Sequence, residues 1–175
     1  MATAPVNPTT QDQLHEAGVE LRVDGARADV VLVRPENRNA QSPATWRALA
    51  AVPGLLPDHV RVVVLSAQGP SFSAGIDRRM LDGTGVPGEV SLADIARMTR
   101  TERAEAISSY QRGFTWWREV DAVTVAAVQG HAVGAGFQLA LACDLMVCAE
   151  DAQLAMREPS LGLVPDLGGT RPLVR

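Results

Sequence analysis

Residues 123–144 read VTVAAVQGHAVGAGFQLALACD. The first six, Val123–Val128, are apolar except for Thr124 and partly β-branched, which predicts a strand. Residues 129–136 then place Gly130, Gly134 and Gly136 in a loop, and 136–143 continue as a predicted helix. A strand at Leu145–Cys148 follows. The same scheme occurs upstream, where residues 60–77 read VRVVVLSAQGPSFSAGID, a strand at 60–66 running into a glycine loop at 69–77. Glycine lets the backbone bend sharply, and the first N–H groups of a helix have no partner within it. Such loops serve either as plain connections or as sites where outward N–H groups meet a negative oxygen. Two of them side by side would aim one N–H each at a single oxygen, an oxyanion hole worth about 2.7–4 kcal/mol per donor in a transition state.

Outward from these two units, the chain alternates strands and helices, an α/β pattern. Residues 19–23 and 28–33 flank the turn pair Asp24-Gly25 and predict a hairpin. Ser42-Pro43 supplies a cap and a first-turn proline for a helix to Ala51. Residues 82–88 (DGTGVPG) read as a flexible connector. Helical spacing runs over 91–119, through Leu92, Ile95, Ala96 and Met98 and on to Ile107, Tyr110, Phe114 and Trp117, with Gly113 as an interruption. The final stretch, 153–175, predicts a short strand, a turn at Glu158-Pro159, and the loop PDLGGT. Residues 1–16 are expected as a flexible tail and 17–175 as one core. The closing segment RPLVR reads as a helix just beginning, so a chain truncated at its C-terminus is expected.

Composition removes several classes of chemistry from these 175 residues. All 16 basic residues are arginine. Without lysine there is no Schiff base, no pyridoxal-phosphate attachment and no P-loop amine. Cys143, Cys148, His15, His59 and His131 have no metal-ligand spacing, so no metal and no disulfide framework are expected. A reducing cytoplasm is the expected compartment. The net charge of −4 opposes nucleic-acid binding, and residues 122–149 are interrupted by Gln129, His131, Gln138 and Asp144, which opposes a membrane span. A dinucleotide fingerprint fails at Leu139, where a third glycine belongs, and Ser71 and Ser73 lack the context of a nucleophile elbow.

Three segments together, SFSAGID at 71–77, VTVAAVQGHAVGAGFQLALACD at 123–144 and AQLAMREPSLGLVPDLGGT at 152–170, resemble the crotonase (enoyl-CoA hydratase/isomerase) family in order and spacing. The resemblance implies a spiral of ββα units, here without the C-terminal helical part, and a homo-oligomer, trimer or hexamer, where the chain is complete. It implies an acyl-CoA thioester substrate whose carbonyl becomes an enolate, with coenzyme A part of the substrate and no separate cofactor. The oxyanion donors would be the N–H groups of Ile76 and Ala135. Substrate contacts would fall at Ser73, Ala74, Gly75, Asp77, Arg78, Gly134 and Gly136. Of the two glutamates of the family's hydratases, the first position is Gln138, which cannot accept a proton, and the second is Glu158. Asp166, eight residues later, matches a catalytic aspartate of the dienoyl-CoA isomerases and equally suits a helix cap. The implied activities are hydration or double-bond isomerisation of enoyl-CoA through Glu158. A dienoyl-CoA isomerase using Glu158 and Asp166 and a non-catalytic CoA-binding fragment are the alternatives.

Overall fold

The computed structural model describes residues 10–174. Helix α1 (Gln11–Glu16) opens it, followed by the hairpin β1 (Val19–Asp24) and β2 (Arg27–Leu32), helix α2 (Pro43–Ala51) and strand β3 (Val62–Ala67). Helices α3 (Leu92–Arg97) and α4 (Arg100–Thr115) lead to β4 (Val123–Val128), β5 (His131–Val133), α5 (Ala135–Ala142), β6 (Leu145–Cys148), β7 (Gln153–Ala155) and α6 (Thr170–Leu173). Five strands form one sheet in the order β1-β2-β3-β4-β6, antiparallel only in the hairpin. β5 and β7 form a second, parallel pair. Parallel bridges Ser73↔Ala132 and Gln41↔Ile76 carry that second layer across the two glycine loops. After β3 and again after β4, the chain leaves the large sheet, crosses the second layer and returns through helix, so the layers grow as a spiral.

Alternation along β3 and β4 buries Val63, Leu65, Ala126 and Val128, and the helices cover them with Trp46, Leu49, Trp117 and Leu139. The loose-tail expectation fails at 11–16. Thr10 and Gln13 form a reciprocal capping box there, and Leu14 is buried in the core. Residues 1–9 of that expectation lie outside the described residues. The helical stretch 91–119 is two helices, because Met98 is extended and Thr99 starts α4 with a second capping box to Glu102. Gly113 does not interrupt α4. A Cβ there would lie 2.7 Å from the Trp46 carbonyl oxygen, so its bare backbone is what lets α4 approach α2. Residues 131–133, expected as loop, form β5. Beyond α5, Leu145, Val147, Leu161 and Val164 are exposed. Among the described residues no helix is long and apolar enough to cross a membrane.

Candidate active site

The glycine loop after β3 is stitched to the segment after β4. Phe72 N donates to Gln129 O, Ser73 N to His131 O and Val133 N to Ser73 O, at 2.9–3.0 Å. Close approach follows, and glycines permit it. Gly75 has φ +91°, and a Cβ on it would lie 2.5 Å from the Val133 carbonyl oxygen and 3.5 Å from the Ala135 nitrogen. A Cβ on Gly136 would lie 2.6 Å from Ser73 O. The first-loop residue Ile76 and the first helical residue Ala135 are thereby brought to one wall. Among the described residues the N–H of neither donates to a protein acceptor, although its neighbours Gly75 N, Asp77 N and Gly134 N all do.

Glu158 begins a 3-10 turn (Glu158–Leu161) and rests on Gly134, where an added Cβ would lie 3.2 Å from its Oε1. Gln138 is 1 % exposed on α5. Its Oε1 accepts from Leu167 N (3.0 Å) and Gly169 N (3.1 Å), which fixes the amide so that Nε2 donates to Glu158 Oε1 at 2.7 Å. Glu158 Oε2 is buried and has no hydrogen-bond partner among the described residues. Glu158 lines a cavity that it shares with Ile76 and Ala135.

That cavity, about 570 Å³, is walled by Ala74, Gly75, Ile76, Gly134, Ala135, Gln138 and Glu158 on the polar side. Trp46, Leu92, Ile95, Ile107 and Tyr110 form an apolar side. Asp166 lies on the same cavity beside Leu163, Val164 and Leu167. It is an exposed residue, yet partial desolvation by the surrounding chain pushes its carboxyl up from the ordinary aspartate range, opposed by its own backbone N–H and reinforced by the Glu158 charge. It caps no helix, because the N-cap of α6 is Gly169.

Of the expected substrate contacts, Ala74, Gly75, Arg78 and Gly134 line the cavity, while Ser73, Asp77 and Gly136 stand behind it. Ser73 is fully buried and accepts from Gly75 N. Asp77 caps the 3-10 turn Arg78–Met80 and pairs with Arg79 at 2.7 Å, and the Arg79 hydrogen bonds hold its carboxyl below the usual range. His131 Nδ1 meets Ser71 Oγ at 3.2 Å and serves as a tie between the loops. Among the described residues no three His, Cys, Asp or Glu side chains gather to hold a metal. Sequence reasoning missed the apolar wall, which Leu92/Ile95 and Ile107/Tyr110 signal as helix faces. It also missed Gln41, a lone polar residue between two predicted elements.

The sequence model of the enoyl-CoA hydratase/isomerase family matches residues 24–175. The mitochondrial Delta(3,5)-Delta(2,4)-dienoyl-CoA isomerase of Mus musculus is 36 % identical over 141 residues, 79 % of this chain and 42 % of that protein. The carnitinyl-CoA dehydratase of Salmonella enteritidis PT4 is 33 % identical over 153 residues, 86 % of this chain and 53 % of its own length. This chain therefore spans about half the length of the curated relatives it matches. A crystal structure from Thermobifida fusca YX, assigned as an enoyl-CoA hydratase and solved with acetoacetyl-CoA, superposes with a TM-score of 0.87 at 47 % identity, over 94 % of this chain and 64 % of the other. With the family match covering most of its residues, this chain belongs to the enoyl-CoA hydratase/isomerase family.

Proposed function

We propose that this chain carries a site for proton transfer on an enoyl-CoA thioester, moving a double bond through an enolate. The observation that carries it is the meeting on one cavity of Ile76 and Ala135, whose N–H groups have no protein acceptor among the described residues, with Glu158, whose Oε2 has no hydrogen-bond partner among them. The thioester class rests on the Thermobifida fusca relatives solved with acetoacetyl-CoA and with CoA.

The chemistry follows from the placement. Glu158 Oε2 removes a proton next to the conjugated system, the C–H electron pair moves onto the thioester oxygen, and the two N–H groups meet the charge that develops there. Each donor is worth about 2.7–4 kcal/mol in the transition state. The Gln138 amide holds the Glu158 carboxylate in place by donating to its Oε1. Returning the proton to a different carbon completes the migration. Asp166 lines the same cavity, which favours a second reading in which its carboxyl delivers that proton, as in a dienoyl-CoA isomerase. Hydration is disfavoured. In this chain Gln138 Oε1 is already taken by Leu167 and Gly169, and its Nε2 by Glu158, so it offers no acceptor for a water.

The test is incubation with 3-enoyl-, 3,5-dienoyl- and 2-enoyl-CoA in D2O, following deuterium uptake by mass spectrometry and the position of the double bond. Wild type should exchange and isomerise, and Glu158→Gln should lower both at least about 10²-fold. Unimpaired Glu158→Gln, or bound acyl-CoA with no exchange in wild type, refutes the reading.

A further inference from the structure

We propose that Gln41 is a positioning residue that aims the Ile76 amide and couples its direction to Trp46 in the wall of the same cavity. The inference rests on the enolate reading above and deepens it. Gln41 sits between a 3-10 turn (Pro35–Asn37) and α2, and it is 0 % exposed. A buried carboxamide is costly unless its hydrogen bonds are made, and here they are.

Its main chain brackets Ile76. Gln41 N donates to Gly75 O at 2.7 Å, and Asp77 N donates to Gln41 O at 2.8 Å. In a parallel bridge of this kind the polar groups of successive residues point to opposite sides. Gly75 O and Asp77 N face Gln41, so Ile76 N faces away from it. That is the side on which Gly75 abuts Val133 and Ala135. The main chain thus determines which side the donor faces, and the side chain determines how firmly it is held. Gln41 Nε2 donates to Ser73 Oγ at 3.1 Å, and Ser73 Oγ accepts from Gly75 N (3.2 Å) while donating to Asn39 O (2.8 Å). Asn39, at φ +53°, is itself pinned by donating to Gln68 O and Ser71 O. Ser73 thus occupies the amide before Ile76 and Gln41 O occupies the amide after it.

The other end of the carboxamide reaches the acyl side. Trp46 Nε1 donates to Gln41 Oε1 at 2.9 Å, and since an indole N–H is only a donor, this bond fixes which end of the amide faces Ser73. Trp46 lines the cavity, packs on Tyr110 at 4.9 Å between ring centroids and is 2 % exposed. One side chain therefore links a ring that an acyl group would press on to the loop whose amide would meet the thioester oxygen.

Gln41→Met keeps the volume and the main-chain bridge but removes both side-chain bonds. Its effect should fall on the chemical step: kcat lower by about tenfold or more with KM within about threefold. The near-ultraviolet band of enolised acetoacetyl-CoA should weaken on the variant at saturating ligand, a readout that lost stability alone does not move. Trp46→Phe removes the indole donor and should lower kcat in the same direction. The double variant should be no slower than Gln41→Met. Wild-type kcat and enolisation in folded Gln41→Met would overturn the inference alone, as would a double variant whose loss is the product of the two single losses. If Gln41→Met loses its near-ultraviolet circular dichroism, Trp46→Phe decides by the same readouts, and an unchanged kcat there overturns the inference. Absence of proton exchange in wild type overturns the catalytic reading itself, and this inference with it.

Discussion

Replacing Gly75 by alanine should separate the proposed catalytic work of the first loop from its structural work. At φ +91° any side chain is strained, at a cost of about 1–3 kcal/mol. The added Cβ would also lie 2.5 Å from Val133 O and 3.3 Å from Val133 C, both main chain and unable to rotate away. Reaching ordinary contact of about 3.5 Å requires the loop to retreat by roughly 1 Å. Ile76 is the next residue, so its N–H moves with the loop. Loss of one oxyanion donor of this type lowers kcat by about 10²–10³-fold. Gly83→Ala is the control, since φ is +81° there and nothing lies within 4 Å. Both variants should lose stability in thermal unfolding, and only Gly75→Ala should lose turnover in the isomerisation assay. Turnover within about threefold of wild type in Gly75→Ala would show that the Ile76 amide is not a donor in the reaction.

Three further outcomes follow from the same geometry. Desolvation raises Asp166, so the folded chain binds that proton more tightly than the unfolded one; the resulting stability is full below the unfolded aspartate value of about 3.9 and is lost as pH rises through the folded value. Asp166→Asn should therefore match wild type in denaturant unfolding at low pH and exceed it at neutral pH, and parallel curves would refute this. Burial, helped by the charge of Asp144, pushes the Cys143 thiol up to about 12, whereas Cys148 is exposed. A thiol reagent at about pH 8 should label Cys148 alone until the chain is unfolded, and native labelling of both would contradict the packing around α5. Gln138→Glu would replace the amide that donates to Glu158 Oε1 at 2.7 Å by a carboxyl, which donates nothing when ionised. Glu158 then loses the bond that holds it in place, so isomerisation should fall, and wild-type turnover would refute the positioning role of Gln138.

The strands and glycine loops were legible because their signals are local, such as the valine run over 62–64 and glycines at strand ends. Helix α1 was not, because a six-residue helix with one buried anchor, Leu14, has no stripe to detect. The break between α3 and α4 was written in the sequence as Thr99 and Glu102, three apart, yet the apolar spacing ran across it. Gly113 was misread for a tertiary reason, since its meaning lies in the Trp46 carbonyl of another helix. In the site, Gln138, Glu158 and Asp166 were picked out through a family likeness. Their hydrogen bonding was not, because Leu167 and Gly169 join Gln138 only through the fold.

The two unpaired amides are free for different physical reasons, and this difference explains which supporting residues were visible in advance. Ala135 begins α5, where the first N–H groups lack partners by the construction of a helix. Freeing that amide needs only room, which Gly134 and Gly136 supply, and glycines stand out in a sequence. Ile76 lies in extended, bridged chain, where an amide normally finds a partner. There the neighbouring amides are the ones satisfied, Gly75 N by Ser73 and Asp77 N by Gln41, so that the bridge leaves Ile76 N on the far side. A donor freed in this way depends on buried polar groups drawn from residues 39–46, well before it in the chain. The first loop is accordingly the half of the site most exposed to substitutions that never touch the substrate, and the second loop the half in which only the glycines must be kept.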